Sequence, residues 1–98
     1  MATLLSSATA DTTGTLTSHT GPCTAFVHGT MDGAVVVLEA SPSTNTTDVV
    51  PIDYVARSQG DFRDRTGCVT VDAQGTYYLR AVLSEAGSST SVTVTTTQ

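Results

Sequence analysis

Wherever apolar residues gather in this chain they alternate with polar ones, and that period of two is the strongest constraint on its fold. In "TYYLRAVLS" Tyr77, Leu79, Ala81 and Leu83 fall on one side, with Tyr78, Arg80 and Val82 on the other. Successive side chains of an extended strand point to opposite faces, so such a segment buries one face and wets the other. "GPCTAFVHGT" repeats the pattern with Cys23, Ala25 and Val27 set against Thr24, Phe26 and His28. "GAVVVLEAS" does so with Ala34, Val36, Leu38 and Ala40 set against Val35, Val37 and Glu39. No helical apolar face, heptad or internal repeat competes with this reading.

The punctuation between these segments supports strands joined by turns. Pro42 and the cluster "SPSTNTT" end one strand, and Pro51 pushes the weaker stretch "VVPIDYVA" toward an edge or a bulge. "RSQGDFRDRTG" holds the only concentrated charge and reads as a loop. Strand "CVTVDA", a turn at Gln74-Gly75 and the turn "EAGSS" then lead into the last strand, "TSVTVTTT". Seven to eight antiparallel strands at about ten-residue spacing predict an all-β fold, a β-sandwich. The 98 residues are a single-domain length, with residues 1–12 read as an extended N-terminal arm.

The charge balance excludes some partners. Four arginines against nine acidic residues give a net charge of −5, which repels phosphate backbones and anionic lipid alike. Nucleic acid and membrane are therefore not expected as partners. The longest apolar run, "AVVVL", is far short of the ~20 residues of a membrane-spanning helix. The first residues have no basic stretch or long apolar run of a secretory signal, so a soluble product of a cytosol is expected, with a mature secreted domain as the alternative.

The residue types that carry chemistry are present but poorly arranged for it. His19, Cys23 and His28 are all metal-ligand types, yet Cys23 and His28 are an odd number of residues apart on one strand and so point to opposite faces. The serines show no nucleophile elbow or triad signature, and neither histidine has an acidic neighbour in sequence. Asp61 and Asp64 alternate with Arg63 and Arg65, an arrangement that favours ionised, paired carboxylates over a proton-donating pair. No catalytic residue, cofactor or metal is expected. Cys23 and Cys68 are expected to be two free, buried thiols, the alternative being a bridge if their strands are neighbours. Asn45-Thr46-Thr47 matches a glycosylation sequon, a match that is common by chance in threonine-rich sequence.

Two regions read as contact surfaces. Arg57, Asp61, Phe62, Arg63, Asp64 and Arg65 form an arginine- and phenylalanine-bearing loop of the kind enriched at interfaces. The last strand, with Val92 and Val94, has no charge and no proline, and the chain has no lysine with which to blunt an edge. That strand and the N-terminal arm must either pair with each other or be covered by another subunit.

The segment "GTYYLRA" resembles the "GTYYCA" strand of immunoglobulin domains, with Leu79 standing where that family keeps a cysteine. The resemblance implies an immunoglobulin-like sandwich in which Tyr77 is the structural corner, its hydroxyl bonded to upstream backbone. Residues 20–42, "TGPCTAFVHGTMDGAVVVLEASP", and 69–95, with "GTYYLRAVLS" and "SVTV", are similar to small structural proteins of tailed bacteriophages. The tryptophan usual after the second strand in those proteins is missing here. This likeness implies a non-enzymatic virion component of the capsid decoration, or cement, type, made in the host cytoplasm and placed on the capsid exterior. Its partners would be the major capsid protein and copies of itself. The alternatives are an adhesion or receptor-binding module of a phage tail or bacterial surface, and a neck or tail structural protein.

Overall fold

The computed structural model of the chain describes residues 2–52 and 61–97. In chain order the strands are β1 (Ala2–Ala8), β2 (Thr12–Thr13), β3 (Thr17–Thr20), β4 (Cys23–Thr30), β5 (Val35–Ser41), β6 (Val50–Pro51), β7 (Asp61–Arg63), β8 (Gly67–Val71), β9 (Thr76–Ser84) and β10 (Ser91–Thr97). A single 3-10 turn, Thr46–Asp48, precedes β6, with the Asn45 side chain accepting from the Thr47 amide at its start.

These strands make two antiparallel sheets. The first, sheet A, has the order β1-β10-β4-β8. In the second, sheet B, β9 and β5 lie at the centre; β2 and β3 both pair with β9, and β6 and β7 both pair with β5. Each layer therefore has four strand positions, and both edges of sheet B are broken in two. Eight positions agree with the number that the turn spacing predicts. One break falls at Gly14, whose amide donates to the Ala81 carbonyl at 2.8 Å. A Cβ there would sit 2.7 Å from the Leu4 carbonyl oxygen, so only glycine lets this broken edge of sheet B pass so close to β1 of sheet A.

The core lies between the sheets and follows the alternation. Ala25 and Val27 of β4, Val36 and Leu38 of β5, Leu79, Ala81 and Leu83 of β9, and Val92 and Val94 of β10 are all essentially inaccessible. Each buried Val, Leu or Phe side chain contributes about 1.5–3 kcal/mol over leaving it in water. Val35 departs from the pattern: it points away from the core yet is buried, flanked in register by Ser84 and Arg63.

Several sequence expectations change here. Residues 2–8 are not an arm, since β1 is a strand of sheet A in register with β10, Ala2 opposite Thr96 and Leu5 opposite Val94. Leu4 and Leu5 both enter the core, and that burial is what draws the segment into the sheet. The final strand is not an edge either, because β10 lies between β1 and β4. Its bare ribbon is closed within the molecule and gives no ground for assembly. Val92 and Val94 are fully buried, so neither can contact a partner; their parity along β10 turns them inward with Thr96. Phe62 is likewise core, as the inward residue of β7, a strand where a loop was expected.

Candidate interaction surfaces

One end of the sandwich is held together by carboxylates. Asp11, between β1 and β2, accepts from the Ala86 amide at 2.9 Å; Asp32, between β4 and β5, accepts from the Ser89 amide at 2.8 Å. Asp64, between β7 and β8, accepts from the Gly33 amide at 2.8 Å. These three bonds link the four described connections at this end into a chain. Asp32 and Asp64 have positive φ, 50° and 51°, which aspartate tolerates better than most residues because its short side chain bonds locally. Beneath them the Thr90 hydroxyl donates to the Met31 carbonyl at 2.8 Å and accepts from the Gly87 amide.

Arg63 and Arg65 stand exposed at this same end. The Arg65 guanidinium lies 4.7 Å from the centroid of the Phe62 ring, a cation–π distance, so the phenylalanine expected as a contact residue is instead the platform beneath the arginine. Asp64 accepts from the Gly33 amide, tying the β7–β8 connection to the β4–β5 one. Asp61 opens β7 opposite Val37. Arg57 lies outside the described residues. Arg80, the fourth arginine, is bound to Glu39 at 2.7 Å across β9 and β5. Sequence spacing brings Phe62, Arg63, Asp64 and Arg65 together at one corner, but Val92 and Val94 are elsewhere, inside the core.

The opposite end carries a buried polar network of which sequence reasoning singled out only Tyr77. His19 on β3 is buried, with Nδ1 2.9 Å from the Thr17 carbonyl and Nε2 2.7 Å from the Thr96 hydroxyl. A carbonyl oxygen only accepts, so Nδ1 bears the hydrogen and, in the neutral ring, Nε2 accepts from Thr96. The ring stacks on Tyr77 with centroids 5.9 Å apart. The Tyr77 hydroxyl donates to the Gly21 carbonyl at 2.6 Å, tying β9 to the β3–β4 turn, a partner 56 residues upstream rather than a nearby one in its own approach to the strand. The resemblance singles out Tyr77, but nothing local in the sequence pairs His19 with Thr96, 77 residues away.

Cys23 and Cys68 are both free. Their strands are neighbours, but Cys23 is opposite Val71 and Phe26 opposite Cys68, which sends the two thiols to opposite faces. Cys23 is buried beside the Tyr77 hydroxyl, and Cys68 is exposed, contrary to the expectation of two buried thiols. Among the described residues no three His, Cys, Asp or Glu side chains gather in a way that could hold a metal ion.

The strands of sheet A differ in charge from those of sheet B. None of the residues of β1, β10, β4 and β8 is Asp, Glu, Lys or Arg. Its outward positions are mostly threonine and serine, with Phe26 38% exposed on β4. A shallow depression beside Phe26 is bordered by His28, Thr66, Cys68 and Thr95. Sheet B by contrast carries Glu39, Arg63 and Arg80.

Comparison with protein-family models, curated proteins and solved structures returns no match. The functional reading therefore rests on the residues themselves.

Proposed function

We propose that this chain is a non-enzymatic structural protein of a virion, a capsid decoration protein that docks on the shell through the Arg63–Arg65 corner. The observation that carries the reading is the placement of two exposed arginines on the carboxylate-linked end of an otherwise acidic sandwich. A net charge of −5 disfavours approach to packaged nucleic acid and suits the outside of a particle. Two exposed guanidinium groups on linked loops, beside carboxylates already bonded to backbone amides, offer an acidic patch a contact whose ordering cost is low, because the backbone beneath them is already fixed. Exposed ion pairs are individually weak, about 0–1 kcal/mol. Reinforcement would come from many copies, each spanning neighbouring subunits, rather than from tight single contacts. The bacteriophage likeness of residues 20–42 and 69–95 supports the same assignment, and the immunoglobulin-like outline goes with it.

The test is a particle-binding assay on shells stripped of this protein. Wild-type chain should occupy them in hundreds of copies, and the double variant Arg63→Glu/Arg65→Glu should lose most of that occupancy. Equal occupancy by the variant would refute docking through this corner. A handful of copies at one vertex or on the tail would instead identify a tail or adhesion module.

A further inference from the structure

We propose that the outer face of sheet A is a self-association surface, on which two copies of the chain pack face to face around Phe26 as a reversible dimer. A single exposed phenylalanine is ordinary on a protein surface. A whole four-stranded face without a formal charge, on a molecule of net charge −5, is not. Among the described residues every Asp, Glu and Arg lies on sheet B or in the connections. Two like-charged molecules can therefore meet through this face while keeping these carboxylates apart.

The side chains on the face fit that use. Threonine is stiff at χ1 and has few rotamers to lose, so ordering Thr24, Thr93 and Thr95 costs little compared with lysine or glutamate. Their methyl groups bury apolar area, and their hydroxyls can bond to each other across the contact. Phe26 supplies the aromatic anchor that interface centres favour. Directly beside it is the depression bordered by His28, Cys68 and Thr95. A two-fold contact needs a projection and a receptacle on the same surface, each entering the other's counterpart, and this face has both.

Area sets the strength. Four strands spaced ~4.8 Å apart and about seven residues long cover roughly 20 by 23 Å. Two such faces bury on the order of 900 Å², below the ~1,200–2,000 Å² of stable complexes. The dimer is thus weak and concentration-dependent, with dissociation in the roughly micromolar to millimolar range. It is independent of the particle reading, since it involves neither Arg63 nor Arg65.

Sedimentation velocity of the full chain from about 10 µM to 2 mM tests it, the range following from that weak affinity. The 10.1 kDa species should give way to one of twice that mass as concentration rises. Raising salt should tighten association, because screening relieves repulsion between acidic copies and no ion pair is lost. Phe26→Asp and, separately, Thr95→Glu should each weaken association at least tenfold, while Ser88→Asp in the exposed β9–β10 connection leaves it unchanged. Circular dichroism melts would show that each variant is folded. In the wild type, maleimide labelling of Cys68 should slow several-fold at high concentration. A monomer throughout, a dimer untouched by both face variants, or one that dissociates as salt rises would each overturn the proposal. A failed Arg63→Glu/Arg65→Glu experiment on particles would leave it standing.

Discussion

Removing residues 2–8 should destabilise the whole domain. Leu4 and Leu5 are 5% and 6% exposed, and they are the only large apolar side chains that β1 brings to the core. At about 1.5–3 kcal/mol each, their loss costs roughly 3–6 kcal/mol. A domain of this length has a total stability of about 5–15 kcal/mol, so the deletion consumes a large share of it. Backbone pairing adds less, because the β1–β10 register shifts twice, between Thr3 and Leu5 and between Leu5 and Ala8. The milder substitution Leu5→Ala should cost about 2–4 kcal/mol through lost burial and the cavity left beside Gly14. With a urea slope of about 1–1.5 kcal/mol/M, that lowers the unfolding midpoint by roughly 2 M. The deletion should also bare the β10 ribbon and promote aggregation, whereas Leu5→Ala should not. Midpoints unchanged in both variants would show that β1 contributes nothing to the fold, and the segment would then be the arm its composition suggests.

Two further outcomes follow from the polar interior and the thiols. Thr96→Val keeps shape but leaves His19 Nε2 without its buried partner, so it should cost about 1–3 kcal/mol and several degrees in a thermal melt; an unchanged melt would mean that bond is not made. One thiol, Cys68, should react promptly with a disulfide reagent in the native protein and the second, Cys23, only in denaturant, and a non-reduced mass lacking two hydrogens would contradict the opposed faces.

The strands were legible because period two is a local signal. "TYYLRAVLS" gives its buried set, Tyr77, Leu79, Ala81 and Leu83, from alternation alone, and β4 and most of β5 do the same. Pairing partners are not local, and local patterning does not give them. Nothing within "SVTVTTTQ" reveals that β1 lies along one side and β4 along the other, so a central strand looked like an edge. Charge density misled in "DFRDR": alternation in Asp-Phe-Arg was the signal for a short strand with Phe62 inward, but four charges in five residues suggested a loop. The carboxylate links of Asp11, Asp32 and Asp64 join residues 31 to 75 apart in sequence and had no local signature. The chargeless sheet was readable in principle, since each of its four segments lacks Asp, Glu, Lys and Arg, but its meaning appears only when they are side by side.

Because Ala2 sits opposite Thr96, the first and last described strands bring their outer ends side by side, at the pole remote from Asp11, Asp32 and Asp64. A peptide or enzyme fused at either end would leave the molecule in the same direction, away from Arg63 and Arg65. Under the proposed docking through Arg63 and Arg65, cargo at either end would point away from the docked surface.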